Sequence, residues 1–101
     1  MQIITITGNL VADAECRTGK ESTEFISFRL AANEVRGEEK RTTFYDVSFM
    51  KNGLLQYLKK GVKVTVIGRL TLSACVKDDK AYVNASVFAN YIELCTQARE
   101  D

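Results

Sequence analysis

The sequence predicts an all-β domain in which five strands surround one core and a single short helix joins the third strand to the fourth. Three observations predict it. Five stretches alternate apolar and polar residues with the two-residue period of a half-buried strand. Gly8 and Gly68 fall inside two of these stretches, where long strands have to bend if a sheet is to curl on itself. The chain contains no proline, which suits long uninterrupted strands. At 101 residues, 46% of them apolar, it is one domain with a small core.

The elements follow in order. Residues 2–12 form the first strand, with Ile4, Ile6 and Leu10 on one side and Ile3, Thr5 and Thr7 on the other. Gly8 within it marks a bulge or a sharp bend. Residues 13–22 are polar around Gly19 and read as a turn or short hairpin. The second strand, 23–33, sets Ile26, Phe28, Leu30 and Ala32 against Phe25, Ser27, Arg29 and Ala31. Residues 34–41 are a charged hairpin loop around Gly37.

The third strand, 42–50, carries Tyr45, Val47 and Phe49 on its core face and Phe44, Asp46, Ser48 and Met50 on the other. Residues 53–60 read as the helix, buried through Leu54, Leu55 and Leu58, with Asn52 as N-cap and Gly61 as the stop. The fourth strand, 62–74, turns Val64, Val66, Leu70 and Leu72 inward. Residues 76–80 form a charged loop, and the fifth strand, 81–94, turns Val83, Ala85 and Val87 inward and Tyr82, Asn84 and Ser86 outward. A domain over 1–95 and a polar tail over 96–101 result. Five strands with a helix in this slot match the Greek-key OB-fold barrel, although spacing alone also allows an open sheet packed on the helix.

Several chemistries are excluded by composition. There is no histidine, which removes Cys–His zinc sites and Ser–His or Cys–His catalysis. Cys16, Cys75 and Cys95 are odd in number and widely spaced, so they form no disulfide framework and no paired redox or zinc motif. Reduced thiols point to the cytoplasm. No apolar run approaches the ~20 residues of a membrane span. An enzyme is not expected, nor is a cofactor, a metal or a small-molecule substrate.

The formal net charge is +1, but residues 51–80 carry a net +5, against −2 over 1–50 and −2 over 81–101. Clustered cations beside outward aromatic side chains are what a single nucleic-acid strand requires: charge for the phosphates, flat groups for the bases. Phe44 is the leading stacking residue because alternation turns it away from the core; a subunit contact is the other reading. Tyr82 is outward as well, and serves either stacking or cross-strand packing. Met50 offers a soft apolar surface to a base or fills a gap. Lys63 and Arg69 lie on the non-core side of the fourth strand. Lys59 and Lys60 crowd the end of the predicted helix, where cations also complement its dipole. Arg36 sits in the 34–41 loop, from which it could close over a bound strand.

The chain resembles the bacterial single-stranded DNA-binding proteins from about Ile3 to Leu94. The resemblance rests on Gly8-Asn9-Leu10 followed by Asp13 and Arg17, on Phe28 through Ala32, on Thr43-Phe44-Tyr45-Asp46-Val47, on Tyr57-Leu58-Lys59-Lys60-Gly61 and on Val66-Ile67-Gly68-Arg69-Leu70. It implies an OB-fold that binds and protects single-stranded DNA with little sequence preference, in replication, recombination or repair. It also implies a homo-oligomer, dimer or tetramer, associated with the bacterial nucleoid. It places Arg17 and Arg29 beside the groove and aligns Phe44 with a stacking position.

Three departures accompany it. The family stacks bases on tryptophans, and this chain has none; Arg36 and Cys75 stand where such residues are expected, and Met50 where another aromatic would be. Ala14 replaces a usual proline. The family commonly ends in a long acidic tail, whereas here Glu100 and Asp101 are the acidic residues that follow Glu93. Two alternatives remain open at this point: a primosome-like accessory protein of the same fold, and an interaction module with no nucleic-acid role.

Overall fold

The computed structural model describes residues 2–50 and 53–95, apart from the side chain of Arg36. Among the described residues six strands appear rather than five: β1 (Ile3–Leu10), β2 (Glu15–Thr18), β3 (Glu24–Arg36), β4 (Glu39–Phe49), β5 (Lys63–Lys77) and β6 (Lys80–Leu94). They form one sheet in the order β1-β5-β6-β4-β3-β2. β1 also pairs with β3 through Asn9↔Ala31 and Leu10↔Leu30, so the run of pairings returns to its starting strand. All pairings are antiparallel except β4 with β6, which run parallel from Tyr45↔Ala85 to Phe49↔Ala89.

Two glycines permit this curvature. A Cβ on Gly8 would lie 2.4 Å from the Ala31 carbonyl oxygen, so β1 can cross β3 there only without a side chain. A Cβ on Gly68 would lie 2.3 Å from the Phe88 oxygen and 2.8 Å from the Ala89 Cα. At that point the β5–β6 register slips: Ile67 pairs with Tyr91 but Gly68 with Ala89, so Asn90 is passed over as a bulge. The bulge inverts the alternation of β6. Val87 and Ala89 are buried before it, Ile92 after it.

The core joins Ile6, Leu10, Ile26, Phe28, Leu30, Val47, Phe49, Leu58, Val64, Val66, Val87, Ala89 and Ile92, with Ile4, Tyr45 and Leu70 packed against it. The strand faces read from alternation therefore hold through most of the sheet. They fail to describe burial at the far ends of β5 and β6. Leu72 and Val83, expected inward, share the core-side face but are 58% and 69% exposed, because the β5–β6 hairpin extends beyond the core.

The predicted helix over 53–60 is not formed among the described residues. In its place stands one 3-10 turn, Leu55–Tyr57. The Tyr57 N–H donates to the Leu54 carbonyl (2.9 Å) and the Leu58 N–H to the Leu55 carbonyl (3.3 Å), a three-residue spacing. So short a segment gains too little to offset helix nucleation. The chain is then drawn away, since the Lys60 N–H donates to Asp13 Oδ1 (2.8 Å) and the Gly61 N–H to the Leu10 carbonyl (2.8 Å). Leu58 is still buried as expected. Gly61 adopts φ +87°, which suits a chain-reversing glycine. The Asn52 cap and the 96–101 tail lie outside the described residues. The region read as a turn, 13–22, contains instead the short strand β2, paired to β3 from Glu15↔Ser27 to Thr18↔Glu24.

Candidate nucleic-acid interface

The strand pairing creates a fork. β4 and β6 run side by side only from Tyr45 and Ala85 onward. Before that point β4 belongs to the β3–β4 hairpin and β6 to the β5–β6 hairpin, so two arms diverge from one junction. The first arm turns at Gly37–Glu38 and the second at Asp78–Asp79, both as two-residue loops shorter than the expected ones. A cleft of about 530 Å³ occupies the crotch. Its walls are Arg29, Thr42, Phe44 and Asp46 on one arm and Leu72, Val83 and Asn84 on the other, with Tyr45, Leu70 and Ala85 at the junction.

Phe44 stands on the outer face of β4 and is 45% exposed, as its position in the alternation predicts. Directly across from it on β3 is Ala31, a small residue, while Arg29 pairs with Asp46. The space above Ala31 lets the diagonal neighbour fold over: the Arg29 guanidinium carbon lies 4.8 Å from the centroid of the Phe44 ring. No ion pair joins Arg29 to Asp46 among the described residues, so the guanidinium is held by the ring and keeps its donors for another partner. The cleft thus brings a ring, a cation, a carboxylate and the Asn84 amide to one place, with apolar walls from Leu72 and Val83 that alternation had assigned to the core.

The other residues singled out from the sequence are dispersed. Arg17, on β2, is exposed and bonded to Glu15 at 3.1 Å. Its groove, about 220 Å³, is also lined by Asp13, Arg29 and Asp46, and so adjoins the fork. Met50 is exposed just past the end of β4. Tyr82 is exposed on the outer face of β6, opposite Cys75 and farther out along its arm than Asn84. Lys59 and Lys60 are exposed in the turn before β5, and Lys63 opens that strand. Arg69 pairs with Ile3 on one side and Phe88 on the other, in the β1–β5–β6 part of the sheet. The Arg36 side chain lies outside the described residues. The basic 51–80 segment is therefore not one patch. Among the described residues its cations spread over three places: Lys59, Lys60 and Lys63 at the start of β5, Arg69 in mid-strand, and Lys77 and Lys80 at the tip of the second arm, with Lys63 and Lys77 roughly 45 Å apart along the strand at about 3.3 Å per residue.

Sequence reading missed several residues that the arrangement makes prominent. Phe88 and Tyr91 are exposed on the outer face of β6; the bulge at Asn90 puts both on that face despite their odd spacing. Asn33 and Thr42 join across β3 and β4, the Thr42 hydroxyl donating to Asn33 Oδ1 at 2.7 Å. Polar pairs of this kind carry no signal in a hydrophobic pattern.

Comparison with solved structures places the fold among small single-strand binding proteins. A crystal structure of the small single-stranded DNA-binding protein of Streptomyces coelicolor superposes with a TM-score of 0.74 at 22% identity, covering 92% of this chain and 93% of that one. A Plasmodium falciparum SSB in complex with ssDNA gives 0.71 at 17% identity, covering 95% and 96%. No curated protein sequence matches the chain. The model of the single-strand binding protein family matches residues 1–95, nearly the whole length, and the chain belongs to that family.

Proposed function

We propose that this protein binds single-stranded DNA without strong sequence preference, on a five-stranded OB-type barrel closed by the β1–β3 pairing. The observation that carries the reading is the fork: an exposed Phe44 with the Arg29 guanidinium resting on it, in an open cleft sized for part of a nucleotide chain. A base stacks on a ring whatever its identity, and stacking contributes about 1–3 kcal/mol per base. A guanidinium next to that ring serves the adjoining phosphate, and its planar fork suits phosphate oxygens. Family membership supports the same reading, as does the Plasmodium relative with ssDNA. Protection of single strands during replication, recombination or repair is the role such binding serves. The reading requires no catalytic group. Tyr82, Met50 and the lysines at the start of β5 are secondary contacts on it.

We also infer self-association through β1, whose outer edge faces away from its β5 partner. A titration of labelled oligo-dT at several salt concentrations tests the main reading. Log affinity should fall linearly with log salt, by about 0.7 for each phosphate neutralised. A flat response, or equal affinity for duplex DNA, would overturn it.

A further inference from the structure

The fork has two exits along the outer face of the first arm, and they differ in charge. One leads toward β2, past Ser27, to the groove that contains Arg17. There Asp13, Glu15 and Asp46 oppose Arg17 and Arg29, and Glu15 already holds the Arg17 guanidinium. A phosphate entering it meets three carboxylates. The other exit runs along Thr42, which lines the fork, to Asn33, its hydrogen-bond partner. Asn33 in turn lines a separate cleft of about 290 Å³ with Thr7, Gly8, Asn9 and Lys63.

Among the described residues, this second cleft has no carboxylate on its wall. Its bonding pattern presents donors. The Asn33 carbonyl oxygen is occupied by the Thr42 hydroxyl, which leaves the amide NH2 to donate. Asn9 donates its own NH2 to the Gly61 carbonyl (3.0 Å), fastening the cleft to the turn that carries Lys59 and Lys60. Lys63 adds a full positive charge. Gly8 contributes only backbone to this wall, because the β3 backbone at Ala31 and Ala32 occupies the place a side chain would take. A cation and an amide donor, with no competing anion, form a site for a phosphodiester group.

We propose that a bound strand leaves the fork along Thr42 and Asn33 and places a phosphate at Lys63, rather than running toward Arg17. The proposal rests on the reading that the fork holds single-stranded DNA. It assigns Asn33 and Lys63 as one phosphate subsite and fixes which side of the fork the strand takes.

Two lengths of oligo-dT test it: about four nucleotides, the low end for one OB-fold, and about sixteen. Lys63→Gln and Asn33→Ala are both surface changes on exposed residues. Each should weaken the long oligomer several-fold, and Lys63→Gln should reduce its salt slope by about 0.7. The short oligomer, measured by competition, should be affected less than twofold by either, because it is held at the fork. The path is wrong if neither variant alters long-oligomer binding, or if Arg17→Gln lowers the salt slope while Lys63→Gln does not. If the unaltered protein binds neither oligomer, the underlying reading of the fork fails instead, and this pattern is distinct from the other two.

Discussion

Phe44 and Tyr45 are neighbours in sequence with opposite assignments, because a strand turns successive side chains to opposite faces. Tyr45 packs against the core, while Phe44 is open to solvent beneath Arg29. Replacing Phe44 by Ala should weaken single-strand binding by about 1–3 kcal/mol with little change in melting temperature. Replacing Tyr45 by Ala should lower the melting temperature more than it lowers affinity, since it opens a gap against the core between Leu30 and Ala85. Oligo-dT anisotropy and thermal unfolding of the two variants separate these effects; a larger drop in melting temperature for Phe44→Ala would invert the assignment. At this scale the sequence was informative, because the period of two alone sorts the pair. The resemblance set Arg29 beside the groove, but no pattern showed its contact with Phe44, which depends on a small Ala31 across the ladder. The sequence was silent on Phe88 and Tyr91, whose facing depends on one extra residue at Asn90.

Among the elements, the long strands were legible and the short pieces were not. β3, β4, β5 and β6 each carry enough alternating residues to declare themselves. β2 has four exposed residues and exists because β3 offers it an edge, so no pattern of its own marks it. Leucines at 54, 55 and 58 have helical spacing, yet one 3-10 turn buries Leu58 just as well, and the bonds from Lys60 and Gly61 end it early. Alternation also could not show how far β5 and β6 outrun the core, which is what exposes Leu72 and Val83 and makes the fork. The bend that launches this arm depends on Gly68. A Cβ there would press on the backbone of Phe88 and Ala89, which can yield only if β6 shifts. Gly68→Ala should cost about 1–3 kcal/mol, the range for overpacking a close-packed site. Gly53→Ala, where an added Cβ meets nothing within 4 Å, is the matched control. Equal melting temperatures for the two variants would show that the bend tolerates a side chain.

For the whole molecule, the open question is what covers β1. The Leu70 N–H donates to the Gln2 carbonyl and the Leu10 N–H to the Val62 carbonyl, so the even residues of β1 bond inward to β5. In an antiparallel ladder the odd residues then point their backbone groups the other way. From Ile3 to Thr7 that side has no strand beside it among the described residues, since β3 meets β1 only at Asn9 and Leu10. The outer face nearby is apolar as well, with Ile3, Phe88 and Tyr91 exposed around Arg69. An exposed edge of this length beside an apolar surface is a template for a second copy, joined about a two-fold axis near Thr5. Such a pairing ends before Asn9 and Lys63 and leaves the fork open. Light scattering at micromolar concentration should therefore give at least twice the 11.3 kDa chain mass. Thr5→Pro removes one outward donor without touching a bond to β5, because proline is tolerated on a strand edge. It should return the mass to that of one chain while the circular dichroism of the sheet persists. An unaltered protein that already scatters as 11.3 kDa would remove the self-association. A Thr5→Pro variant that stays associated would move the interface elsewhere, to the face around Phe88 and Tyr91.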